Sequence, residues 1–121
     1  WYMKKYISEA KEEGATPIVF SHIPRNKWNK GKVERVDNTY GKWAKEAATQ
    51  EDAIFIDLND SIARKYEEMG AMEVAEFFPK DHTHTNREGA KLNALIIAEL
   101  LNQNKESGLR DYIFIPEEVK K

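Results

Sequence analysis

The stretch FPKDHTHTNREGAKLNA, from Phe78 to Ala94, crowds an acid, two histidines, two threonines and an asparagine before an expected helix start. Asp81 and His84 stand three residues apart. On a turn that spacing brings a carboxylate to one imidazole nitrogen. The carboxylate then fixes the tautomer, orients the ring and stabilises the imidazolium formed when the other nitrogen takes a proton. This is the acid–base half of a nucleophilic triad, and it needs a Ser, Cys or Thr within hydrogen-bond reach.

Structural duties compete for the same residues. Thr85 followed by Glu88 fits a capping box, in which hydroxyl and carboxylate satisfy opposite backbone amides. Gly89 and Ala90 would let a helix approach its neighbour closely. Taken alone, an Asp-x-x-His pattern is more often a surface pair beside a helix cap than a catalytic pair. Asp81, His82, His84 and His22 also offer metal-ligand chemistry. No HExxH helix or second carboxylate cluster accompanies them, so the metal reading is the weaker one and no metal ligand is assigned.

The elements that must position these residues follow from periodicity. Tyr2, Met3, Tyr6, Ile7 and Ala10 recur at helical spacing and end at Gly14. The run TPIVFSH reads as a strand of the kind buried in a parallel sheet. IPRNKWNKGKVERVDNT reads as a polar loop, long enough to suggest function. Tyr40, Trp43, Ala44 and Ala47 predict a second amphipathic helix, and AIFIDL a second strand. A third helix is expected from about Ser61 to Met69, capped by Asn59 or Asp60. AMEVAEFF adds a helical turn. A last helix begins near Asn86, with Leu92, Leu95, Ile96, Ile97, Leu100 and Leu101 on its apolar face. The tail over 105–121 is expected to dock as an edge segment or stay loosely attached. The order predicts α/β layering around a parallel sheet. Two strands leave exposed edges, so further strands are expected upstream or from another copy, a homo-oligomer joined through sheet edges.

Ser21 closes the first strand at its carboxyl end, the active edge of an open α/β sheet. It lacks the Gly-x-Ser-x-Gly context of an exposed nucleophile. Ser21, His22, Arg25 and Trp28 are instead expected to border a substrate pocket, with Trp28 either stacking on a sugar ring or anchoring the loop.

The chain has 121 residues, 40% of them hydrophobic and 33% charged, with 19 basic and 21 acidic residues and a net charge of −2. This suits one globular domain and gives no electrostatic reason to expect nucleic acid or an acidic membrane as partner. No apolar run approaches the ~20 residues of a spanning helix. There is no cysteine, hence no disulfide framework and no thiolate site. The opening WYMKKYISEAKEEGATP is already in helical pattern and lacks an initiator Met, so the chain reads as the downstream part of something longer.

YISEAKEEGATPIVFSHIPRNKW, then YGKWAKEAATQEDAIFIDLND, then FFPKDHTHTNREGAKLNA together resemble the C-terminal half of the SGNH (GDSL-type) hydrolase superfamily, particularly its rhamnogalacturonan acetylesterase-like branch. The resemblance covers Tyr6 to about Leu101. It implies a flavodoxin-like three-layer α/β/α fold, serine acyl transfer without a cofactor, His84 as catalytic base and Asp81 as the acid that orients it. It also implies an acetylated polysaccharide or oligosaccharide as substrate, and secretion or a periplasmic location in a bacterium. The family's Gly-Asp-Ser-type nucleophile, its glycine and its Gly-x-Asn-Asp oxyanion donors have no counterpart here. The chain alone is therefore expected to be inactive without an N-terminal portion. Two readings compete: a non-catalytic carbohydrate-binding or scaffold module that kept the fold, and a metal-dependent hydrolase using the histidines.

Overall fold

A computed structural model of the chain describes residues 1–117. Two short strands, β1 (Ile18–Phe20) and β4 (Ile54–Ile56), pair in parallel, Ile18 opposite Ile54 and Phe20 opposite Ile56. The Ser21 amide continues the ladder to the Ile56 carbonyl at 3.2 Å. A parallel pair needs a crossover, and α2 (Tyr40–Gln50) supplies it.

Side-chain alternation along the strands creates two cores. Val19 of β1 and Phe55 of β4 face α1 (Tyr2–Glu12) and α2, where Ile7, Ala44, Ala47 and Ala48 are buried. The small residues let α2 lie close to the sheet. Phe20 faces the other way, against α3 (Leu58–Met69), α4 (Ala71–Ala75) and α5 (Arg87–Gln103). There Ile62, Tyr66 and Val74 are fully buried and Phe78 meets the Tyr66 ring edge-on at 6.1 Å. The buried Tyr66 hydroxyl donates to Asn93 Oδ1 of α5 at 3.0 Å, so the polar tip of this ring is satisfied. Helices thus cover both faces of a parallel sheet, the α/β layering the element order predicts.

Several local expectations need correction. The segment read as a loop contains a hairpin: β2 (Trp28–Asn29) pairs antiparallel with β3 (Lys32–Val33). Lys30 and Gly31 both have positive φ, the geometry a two-residue hairpin turn requires. A lysine in the first turn position hid the signal, since Asn, Asp or Gly usually stands there. The third helix starts at Leu58, not near Ser61, because Asp57 caps it by accepting the Asp60 amide at 3.2 Å. Tyr40 and Trp43 are exposed, and α2 buries Gly41 and its alanines instead. The tail forms two 3-10 turns, Lys105–Ser107 and Arg110–Tyr112, the second packed against α5 rather than added to a sheet edge. Tyr112 and Phe114 remain 84% exposed. The last four residues of the expected tail lie outside the described residues.

Arg35 fastens the hairpin to α3. Its guanidinium forms a two-pronged pair with Glu67, Nη1 to Oε2 at 2.9 Å and Nη2 to Oε1 at 3.0 Å, and reaches Asp60 Oδ1 at 3.1 Å. Glu67 Oε2 also accepts the Val33 amide at 2.9 Å. Nothing in the sequence pattern singled out this cluster.

Candidate active site

The loop carrying Asp81 and His84 is closed at its base by Asn86. The Asn86 amide donates to the Phe77 carbonyl and its side-chain Nδ2 to the Glu76 carbonyl, both at 2.8 Å. Its Oδ1 accepts the Gly89 amide at 3.0 Å, which makes Asn86 the cap of α5. This replaces the expected Thr85–Glu88 capping box; Glu88 pairs with Lys91 at 3.1 Å instead. An asparagine can both donate and accept, so one side chain caps the helix and staples the preceding loop.

Gly89 is buried and Ala90 exposed, so only the glycine serves close packing. A β-carbon at position 89 would stand 2.8 Å from Phe77 Cβ and 3.0 Å from Thr85 Cβ. Those are the stiff roots of side chains, not flexible ends. Gly89→Ala should therefore lower stability by ~1–3 kcal/mol, although alanine is intrinsically the better helix former by ~1 kcal/mol. A shift of the urea midpoint to lower concentration checks this; an unchanged or raised midpoint would show that the loop yields.

Within the loop, His84 Nδ1 lies 2.9 Å from Asp81 Oδ2. The other carboxylate oxygen, Oδ1, accepts the backbone amides of His84 at 2.7 Å and Thr83 at 2.8 Å. Three hydrogen bonds to the charged form, led by the His84 amide, hold the Asp81 carboxyl well below the usual carboxylate range. A charged Asp81 can only accept a hydrogen bond, so the neutral ring carries its N–H on Nδ1 and leaves Nε2 as the lone-pair nitrogen. The His84 side chain is 80% exposed, so Nε2 is open to a reactant. Such an arrangement can take a proton from a hydroxyl and return it to a leaving group.

Among the described residues, Asp81 is the hydrogen-bond partner His84 has. Ser61 donates to the Asp57 carbonyl and Ser107 to the Asn104 carbonyl. Ser21 is 3% exposed; it donates to Asp57 Oδ1 at 2.8 Å and accepts the Asn59 amide at 2.9 Å. Its hydroxyl is spent on the N-terminus of α3, inside the body. Trp28 is half-buried against the core of α3 and α5, and its indole nitrogen donates to Asn26 Oδ1 at 2.7 Å. That is loop anchoring. His22 and Arg25 come together: both line a cleft of about 340 Å³ with Lys27, Thr39 and Tyr40. Asn26, between Arg25 and Lys27, donates its amide to the His82 carbonyl at 2.8 Å, tying this cleft's loop to the Asp81–His84 loop. Tyr40, expected on the apolar face of α2, lines this cleft instead, and no sequence signal marked it as a pocket residue.

No three His, Asp or Glu side chains converge as a metal site among the described residues. No helix among them is long and apolar enough to cross a membrane.

Comparison with known proteins adds a second line. No family model matches the chain. The rhamnogalacturonan acetylesterase of Emericella nidulans is 35% identical over 83 residues, 69% of this chain and 34% of that protein. YesY of Bacillus subtilis, a probable rhamnogalacturonan acetylesterase, is 29% identical over 113 residues, 89% of this chain and 51% of the relative. The chain thus spans about half or less of the curated relatives it matches. A solved structure of the Bacillus subtilis protein YXIM superposes with a TM-score of 0.76 at 24% identity, covering 84% of this chain and 29% of that one, which shows the shared fold. With the acetylesterase relatives matching most of its length and the α/β layering in place, the chain belongs to the SGNH hydrolases, in their rhamnogalacturonan acetylesterase-like branch.

Proposed function

We propose that this chain carries the acid–base half of a serine acyl-transfer site that removes acetyl groups from a polysaccharide. The observation that carries the reading is the Asp81–His84 pair: Nδ1 at 2.9 Å from one carboxylate oxygen, with the other oxygen held by two backbone amides. A group fixed in this way serves as base toward a nucleophilic hydroxyl, then as acid toward the leaving sugar oxygen. A second cycle, with water in place of the sugar, frees the enzyme. Because no hydroxyl of a described residue stands against His84, the nucleophile and the oxyanion donors come from another part of the protein. The outer edge of β1, with the apolar groove formed by Met3, Tyr6, Pro17 and Phe20 beside it, is where further strands would pair. The reading goes with a secreted or periplasmic protein, where an acetylated polysaccharide would be met.

The test is acetate release from acetylated rhamnogalacturonan. Residues 1–121 alone should release none above background, since losing one oxyanion donor already costs ~10²–10³ in rate. The longer protein should release it readily and lose that activity on His84→Ala. Turnover by the chain alone, or a longer protein indifferent to His84→Ala, would refute the proposal.

A further inference from the structure

The cleft beside the Asp81–His84 loop has a chemistry that acyl transfer does not use. Of its charged lining residues, Arg35 is committed to Glu67 and Asp60. Arg25 and Lys27 make no side-chain hydrogen bond or ion pair among the described residues, and they face a single carboxylate in the lining, Glu34. Two free cations against one acid leave the cleft with a surplus positive charge, although the chain as a whole is net negative. The segment that presents them is rigidly held. Pro24 is fully buried before Arg25, and Asn26 after it is fixed at both ends, amide to the His82 carbonyl and Oδ1 to the Trp28 indole. In the same lining the His22 and Tyr40 rings lie 5.3 Å apart, both exposed.

We propose that this cleft binds the carboxylate of a sugar acid: Arg25 takes the carboxylate, Lys27 adds charge, and the Tyr40–His22 wall carries the apolar face of the ring. A planar guanidinium matches a carboxylate with two parallel hydrogen bonds, which a hydroxyl of a neutral sugar cannot reproduce. An aromatic face covers the C–H surface of a pyranose, which water solvates poorly. The anchored backbone on either side of Arg25 lowers the ordering cost of binding. The inference rests on the polysaccharide reading above and deepens it. The ester of such a polymer would be presented to His84 by a uronate held next door, across the Asn26–His82 hydrogen bond.

Equilibrium binding of trigalacturonate, compared with its fully methyl-esterified form, tests the assignment. The two have the same rings and length and differ in charge. The acid should bind at least ~10-fold more tightly than the ester, a difference of ~1.4 kcal/mol. Its affinity should fall with added salt. Arg25→Gln should weaken the acid at least ~10-fold and Lys27→Gln by less, with the ester unaffected. Both side chains are exposed, so the fold should survive. Equal binding of acid and ester, an affinity indifferent to Arg25→Gln, or no saturable binding of the acid would overturn the proposal. Binding needs no ester turnover. Failed deacetylation by the longer protein would refute the acyl-transfer reading and leave this result standing; failed binding beside His84-dependent deacetylation would refute this inference alone.

Discussion

Asp81→Asn in the longer protein should lower kcat by ~10³–10⁴ while KM changes little. The asparagine keeps shape and size, and its carbonyl oxygen can still accept the Thr83 and His84 amides that Asp81 Oδ1 accepts now. What changes is the atom facing Nδ1. An amide NH2 group in place of Oδ2 donates to that nitrogen, so the imidazole proton moves to Nε2 and the base points its lone pair inward. The loop survives and the chemistry stops. Circular dichroism and thermal midpoint should therefore stay near the unsubstituted protein while acetate release collapses. A substantial retained kcat would mean that Asp81 merely shapes the loop. The pH dependence gives a second readout. Because the hydrogen bonds hold the Asp81 carboxyl well below the usual range, it stays charged wherever an imidazole titrates. The acid limb of kcat/KM should follow a single group and not two.

Glu67→Gln should be the most damaging single surface-proximal change to stability, at ~3 kcal/mol. Both prongs of Arg35, and the Val33 amide, converge on this carboxylate, whose side chain is 12% exposed. The hydrogen bonds from Arg35, chiefly, bring its pKa down to about 2. Each pH unit of such displacement corresponds to ~1.4 kcal/mol. The sign follows from linkage: a carboxyl depressed in the folded state contributes fully above its unfolded value, ~4.3, and loses that contribution as pH falls through about 2. Urea midpoints measured from pH 6 down to pH 2 should fall steeply below about pH 4.5 in the parent chain. In Glu67→Gln they should start lower and fall less. Parallel curves would show that the pair adds nothing beyond what two exposed charges would. The Arg35 guanidinium, stranded by the substitution, keeps Asp60 at 3.1 Å, which bounds the loss.

What was legible in the sequence was what is local. Asp81 and His84 meet because they lie three residues apart on one turn, and the helices announced themselves through apolar spacing. The parallel pairing of the two strands followed from the helix between them. Contacts that join distant positions left no trace. Arg35 to Glu67 spans 32 residues, Ser21 to Asp57 spans 36, and neither residue type advertises a partner. Ser21 looked available because strand ends in α/β sheets present active groups. It is buried because the same position also meets the first turn of the following helix, whose free amides need acceptors. Asp57 belonged by pattern to the strand, so its capping role shifted the start of α3 unseen. The hairpin was hidden by strands too short to alternate.

The closure at Asn86 gives the Asp81–His84 segment an unusual kind of independence. Its base is sealed by bonds between Phe77, Glu76 and Asn86, all within about ten residues, so the ring is small and its closure entropy is settled locally. The acid–base pair and the bonds that close its loop occupy one contiguous stretch of chain, with the Asn26 amide on the His82 carbonyl as an outside tie. Such a stretch behaves as a cassette: lengthening the hairpin turn at Lys30–Gly31 or trimming the tail beyond α5 should leave it undisturbed. A transplant from Glu76 to Gly89, set on another helix that begins at the edge of a sheet, would carry its closure with it and would need only a donor for the His82 carbonyl and an apolar seat for Phe78.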